Sequence, residues 1–533
     1  MKKPICFILA MLLFTACDAA PPPPDVAEVT AQIQGQEVVY QAWESSGLPT
    51  GGSYYLTSDV ELAEAVTLTG NLDLHLNGHA VIAAKDMLIG HMFVIPSGTR
   101  MTVYDEPVAE DLFAEYDPEE EQQTIEIATG SIVSSRSFSG KLTVSSMFQV
   151  SGELVVAGGH IDASLINVED RANGLAVYVC EGGKMEMTGG LITGGTTWSF
   201  APKDTGTQTP LSETSQPTTT APAEPVKEEV SEYGYGGAVY VDQGAQCLLS
   251  GGTIWKGSAQ GGGNIYVAGD EEGSGLLTIT GGRLLAGEAT KWGGNVCVHG
   301  TLEMSGGSMD WGTSYCDGGN IFLSGTLNMT GGTLRNGACD VNALGYRYGG
   351  NLAVDGINAS VKITNAQILE GSAACKESHG GNISVVRYGA RDFEVGEGTC
   401  IYGGRGHRGG NVYIGHLKED IPMENTDYVF TKVEMNGGTT SYRGGNMCSD
   451  TKNKEKPIQV TFNDCIMGVE DSSELNLAIG AGAKDVTQCI ITLNGGTFTG
   501  GRINLYGSSR LTANGVRFEN CDVDGTGVYI ENP

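Results

Sequence analysis

The chain has 533 residues, a formal net charge of −32, 40% hydrophobic residues and 80 glycines. That acidity excludes a nucleic-acid binder, which needs clustered Lys and Arg to displace counterions; the apolar content supports a packed core, so the chain is not an acidic disordered one. Glycine at roughly twice its usual ~7% asks for an architecture with many tight corners.

Lys2 and Lys3 precede an apolar run from Ile5 to Phe14, followed by Thr15-Ala16-Cys17. The run is shorter than the about 20 apolar residues that a bilayer-spanning helix takes, and it reads as an export signal. It resembles the lipobox of bacterial lipoproteins, with Phe14 where that family usually has Leu. The resemblance implies a signal peptide over residues 1–17, lipidation of Cys17, and a membrane partner through that anchor. The implied location is the cell envelope, lipid-anchored and surface-exposed. The alternative is an ordinary secretory signal cut near Ala19 or Ala20. Residues 18–39, with four prolines at Pro21 to Pro24, read as a stiff tether. Residues 40–533 then form the folded part, with a helical or irregular cap expected near 27–48 to cover the first open coil.

The folded part repeats. Gly-Gly-Asn recurs with its asparagine at 264, 295, 320, 351, 382, 411 and 446, giving spacings of 31, 25, 31, 31, 29 and 35 residues. Such a period signals a solenoid. After each asparagine comes a short apolar strand, as in Ile265-Tyr-Val267 and Val296-Cys-Val298. A strictly alternating triplet follows, such as Leu302-Glu-Met304 or Leu327-Asn-Met329, and then Gly-Gly-x-Ile/Leu. Alternation over three residues puts both apolar side chains on one strand face. Strand types that recur in fixed order pair with their counterparts in the next repeat, in parallel. The predicted fold is all-β, a right-handed parallel β-helix with three short strands per coil.

Residues 54–59 (Tyr54-Tyr-Leu-Thr-Ser-Asp59) and 76–79 (Leu76-Asn-Gly-His79) open this pattern upstream. Together with Gly-Gly-Asn-Ile/Val they make the chain similar to the pectin-lyase-like β-helix superfamily, and to glycine-rich repeat surface proteins of anaerobic bacteria, over residues 50–530. That resemblance implies a polysaccharide lyase, a glycoside hydrolase or an adhesin. The hydrolases pair aspartates as acid and base, but the chain has no Asp-Asp and no Gly-His-Gly. Two stretches interrupt the repeat. Residues 199–232, rich in Thr, Pro, Ser and Glu, read as a disordered insertion, and Asp105 to Glu121 reads as a solvated acidic loop. The acidic loop is the one stretch suited to calcium, but it lacks EF-hand spacing, and no other cofactor motif occurs.

The residue before each Gly-Gly is Trp292, Asp317, Tyr348, His379, Arg408 and Arg443 on successive coils. Stacked at strand spacing, Trp292, Tyr348, His379, Arg408 and Arg443 form a candidate glycan-binding ridge, because aromatic faces stack on sugars and Arg grips carboxylates. The competing explanation is that large residues cover a glycine corner. The outward column Tyr240, Tyr266, Cys297, Phe322, Ala353, Ser384 and Tyr413 is expected to lie under loops. Asparagine amides are expected to bond one another along the stack. His75 and His79 are not read as a metal pair. Most cysteines are expected to be free thiols, with Cys247 and Cys400 in inward positions. No catalytic residue and no metal ligand emerge. The sequence favours non-catalytic adhesion or glycan binding to a polysaccharide or cell-surface glycan, with a lyase or hydrolase acting on acidic glycans as the alternative.

Overall fold

The computed structural model describes residues 29–531 except 34–35, 85–89, 107, 109–112, 114–115, 117–126, 128, 135–145, 168–171, 198–233, 340–346, 374–377, 417–426, 452–456, 470–474, 481–488 and 525–527. The expected signal peptide, Cys17, most of the expected tether and the Thr/Pro-rich insertion lie outside the described residues, as does most of the acidic loop.

The alternating triplets become strands because each apolar residue meets its equivalent one coil away. Ile265 pairs in register with Val296, which pairs with Ile321, then Leu352, Ile383, Val412 and Met447. Three parallel sheets of 15, 18 and 15 strands run along the molecule, so nearly every coil contributes to each. The first sheet holds the strands after Gly-Gly-Asn, such as Ile265–Val267 and Val296–Val298. The second holds the alternating strands, such as Thr301–Met304, and the third the strands after the next Gly-Gly, such as Ser308–Asp310. The protein is a right-handed parallel β-helix. Its interior is one continuous column of buried apolar residues, of which each Val, Leu, Ile, Phe or Met contributes about 1.5–3 kcal/mol.

The corners explain the glycine pairs, and the two members of a pair do different jobs. Gly293 has φ of +64°, a region L side chains avoid. Gly294 instead sits where a Cβ would collide with Gly319 O and Thr313 N of the next coil. Beside them the asparagines form a ladder. Asn264 Nδ2 donates to Asn295 Oδ1 at 2.7 Å, and Asn295 to Asn320 at 2.6 Å. The row continues through Asn351, Asn382, Asn411 and Asn446 to Asn476. Asn476 follows no Gly-Gly, so the motif alone does not find it.

Four features depart from the sequence reading. The N-terminal cap is an antiparallel hairpin of Val29–Ile33 and Gln36–Trp43, not a helix, and its first strand falls inside the expected tether. That hairpin continues the second sheet through Trp43, opposite Leu56. Asp105 is not solvated: its carboxylate is buried and accepts from Gly78 N, Glu106 N, Gly130 N and Thr129 Oγ1. Cys400 is not inward, because Ile401 takes the core position. Finally, a fourth sheet of nine strands covers the middle coils. Between the third and first sheets each of these middle coils makes an excursion, for example residues 312–319, whose neck Asn320 closes by accepting from Gly312 N at 3.0 Å. The stacked excursions are this sheet, and it folds back onto the outer face of the first.

Candidate functional site

The fourth sheet carries the residues expected to form the ridge. Trp292, Asp317, Tyr348, His379, Arg408 and Arg443 are in register, one per coil. The coil-by-coil stacking therefore stands. The exposure expected of every member does not. Tyr348 is 3% exposed and His379 2%, because the excursion turns their side chains onto the first sheet. There they pack against Tyr413 and its neighbours, with His379 and Tyr413 rings 4.4 Å apart. The outward column Cys297, Phe322, Ala353, Ser384 and Tyr413 is buried, beneath this sheet rather than beneath irregular loops, and its apolar members join Tyr348 in a second, smaller core. Upstream, Tyr178, Tyr240 and Tyr266 stack nearly parallel, 4.9 and 5.2 Å apart. Their faces contact each other, not a ligand.

At the margin of this second core lies a charged layer. Arg387 reaches back across two coils to Asp317, and its Nε is 2.7 Å from Asp355 Oδ2. Its guanidinium also lies 5.3 Å above the Tyr348 ring. Asp317 is buried, which lifts its carboxyl to about 6 even with Arg387 beside it, and its Oδ1 has no hydrogen-bond partner among the described residues. One coil beyond His379, Arg408 Nη1 donates to Asp450 Oδ2 at 2.8 Å. Burial, reinforced by Arg408, holds His379 down at about 3, so it is neutral near pH 7.

The downstream end of the sheet opens to solvent. His407 and Tyr442 stack 5.0 Å apart, and Tyr442 is 47% exposed. The Arg443 guanidinium lies 4.6 Å from the Tyr442 ring and 4.2 Å from that of Tyr506. Arg408 sits 5.4 Å from the Tyr442 ring. Of the expected ridge, then, Arg408, Arg443 and the half-buried Trp292 reach the surface. His407, Tyr442 and Tyr506 join them, and the last two were not foreseen because they do not directly precede a Gly-Gly.

Elsewhere, a polar groove of about 360 Å³ lies along stacked turns, lined by Thr99, Arg100, Ser151, Glu153 and Lys184 among others. Arg100 there already pairs with Asp73, and Glu153 stands between Arg100 and Lys184 in register. His75 faces outward as read, but it is buried edge-on between Tyr40 and Tyr104. Its Nδ1 accepts from Asn77 N at 2.9 Å. Among the described residues no group of three or more His, Cys, Asp or Glu is placed to hold a metal, and Asp105, already accepting four donors, offers calcium no free carboxylate. No protein-family model matches the chain, and no curated protein or solved structure shows significant similarity to it.

Proposed function

We propose that this chain is an exported β-helix, held to the cell envelope through a lipid on Cys17, that binds acidic glycans without turning them over. The observation that carries this reading is the surface step in which the exposed Tyr442 is flanked by the half-buried His407, Arg443 and Tyr506, on a protein of net charge −32. Elsewhere that charge repels polyanions, so a cationic, aromatic step stands out. Guanidinium groups bind sugar carboxylates in bidentate fashion, while the open part of the Tyr442 ring offers a hydrophobic surface to a pyranose. The test is retention on a panel of acidic and neutral glycans. Binding to acidic members, weakened at least tenfold by Tyr442→Ala with Arg443→Ala and unaccompanied by new reducing or unsaturated ends, is the expected result. Equal retention by the double variant overturns it.

A second reading has its own observation. The Asp317 carboxyl, held near 6 with one oxygen unpartnered, has the proton affinity of a general acid or base. This supports a polysaccharide-degrading enzyme. New chain ends that appear with the wild type and vanish with Asp317→Asn would establish it in place of simple binding.

A further inference from the structure

The polar groove at Arg100, Glu153 and Lys184 originates in the lengths of three consecutive turns. Between the first and second sheets, residues 96–99 and 180–183 give four residues each to the corner. The coil between them turns on Ser151 and Gly152 alone. Gly152 makes that short cut possible, because a Cβ there would collide with Thr99 O and Pro96 O. The short turn is the floor of the groove and the longer turns are its walls. Its volume of about 360 Å³ lies at the small end of the about 300–1,000 Å³ typical of ligand pockets. The carbonyls of the floor are already in use: Ile95 O accepts from Ser151 N and Gly152 N, Thr99 O from Glu153 N, and Gly152 O from Lys184 N. Recognition therefore falls to side chains.

We infer that this groove binds one or two units of an uncharged sugar, at a site separate from the Tyr442 step and independent of the acidic-glycan reading. Its described lining contains no aliphatic or aromatic residue, and Ser97, Thr99 and Ser151 bring hydroxyls to it. Arg100, Glu153 and Lys184 follow one another in register, about 4.8 Å apart. Arg100 is paired with Asp73 at 3.4 Å. Among the described residues Glu153 and Lys184 make no ion pair, so both remain available. With Asp73 behind Arg100, two carboxylates balance two cations, and Glu181 in one wall leans away towards Gly244. A ligand carboxylate set against Lys184 or Arg100 comes within one strand spacing of Glu153, and a ligand ammonium on Glu153 comes as close to a cation. Either meets a like charge. A hydroxyl meets none: it donates to Glu153 and accepts from Lys184 or Arg100, and the two bonds reinforce each other. Neighbouring hydroxyls of a sugar repeat that donor and acceptor pattern along the row. A zwitterion matches the alternating charges but leaves the serine hydroxyls unused.

The probes are methyl β-glucoside, methyl α-mannoside and cellobiose, with galacturonate, glucosamine and glycine as charged comparators, followed by saturation-transfer NMR on the full chain. The expected result is saturable binding of at least one neutral probe, weakened at least about tenfold by Glu153→Gln with Lys184→Gln. Both side chains stand on the outer face, and an unchanged melting temperature would show that the variant folds. Tyr442→Ala with Arg443→Ala should leave the neutral sugar bound as before. Absence of saturable binding by every neutral probe overturns the inference, as does undiminished binding by the groove variant. Loss of neutral-sugar binding in the Tyr442 variant moves the site to the step and overturns the assignment to the groove. Displacement of the neutral sugar by galacturonate, glucosamine or glycine at equal concentration overturns the uncharged class. The outcome with acidic glycans bears on the Tyr442 step alone.

Discussion

Arg408 and Asp450 meet at 2.8 Å across two sheets, the arginine on the excursion sheet and the carboxylate on the outer face of the first sheet. The pair ties the added layer to the solenoid. Asp450 is buried while Arg408 remains partly exposed, so the carboxylate bears the larger desolvation cost. Removing the cation by Arg408→Ala is expected to destabilise the structure by about 3 kcal/mol. Hydrogen exchange would show the loss concentrated in Thr439–Arg443 and its neighbour Arg405–Arg408. Unaltered protection of both strands would mean that the pair does not hold the layer down.

The asparagine ladder makes a sharper prediction. Asn320 donates to Asn351 Oδ1 and to Arg335 O, and accepts from Asn295 and Gly312 N. Asn320→Ala leaves those buried groups unpaired, at about 1–3 kcal/mol each, and it opens the neck of one excursion. Asn328, exposed on the second sheet, is the control: Asn328→Ala should change the urea midpoint by no more than the scatter between preparations. Equal effects at both positions would remove the ladder's structural role.

Two buried groups set opposing pH dependences. Asp317 binds its proton more tightly folded than unfolded, so its contribution is fully present below about 3.8 and is lost as pH rises through about 6. His379 runs the other way. Its folded-state value of about 3 lies below the unfolded 6.5, so its contribution is present above 6.5 and is lost as pH falls towards 3. The wild-type curve between pH 4 and 6 is therefore blunted, and the difference between proteins carries the sign. Asp317→Asn should gain melting temperature relative to wild type as pH rises from 4 to 7. A difference that is flat, or that falls with pH, contradicts the assignment.

Thiol labelling tests burial coil by coil. Cys247, Cys297, Cys448 and Cys489 are buried, and burial raises each thiol, Cys247 to about 12. In native protein a maleimide should react at Cys180, Cys316, Cys400 and Cys521, which are partly exposed, and reach Cys247, Cys297, Cys448 and Cys489, with the likewise buried Cys339 and Cys465, only after denaturation. Rapid native labelling of Cys297, located by peptide mapping, would show that the excursion sheet lifts away from the first sheet.

The proposed lipid anchor at Cys17 has a direct readout. With Cys17→Ser the protein should leave the membrane fraction, and it should no longer incorporate a labelled fatty acid. Membrane retention of that variant would favour an ordinary secretory signal and another mode of attachment.

Strand type, register and the inward columns of this solenoid were legible in the residues. An alternating triplet has one workable geometry, and a repeated triplet has one workable partner. Ile265, Val296 and Ile321 could be placed above one another without coordinates, and so could the amides of Asn264, Asn295 and Asn320. The excursions could not. The residues before each Gly-Gly could be stacked, but segments such as Gly312 to Gly319 carry no apolar period, so nothing local says which way they fold. Only packing against Phe322, Ala353 and Tyr413 turned Tyr348 and His379 inward and left Tyr442 in solvent. Periodicity determines what must lie on top of what. Whether a side chain on an added layer meets protein or water depends on the surface beneath it, and that surface exists only once the coils are assembled.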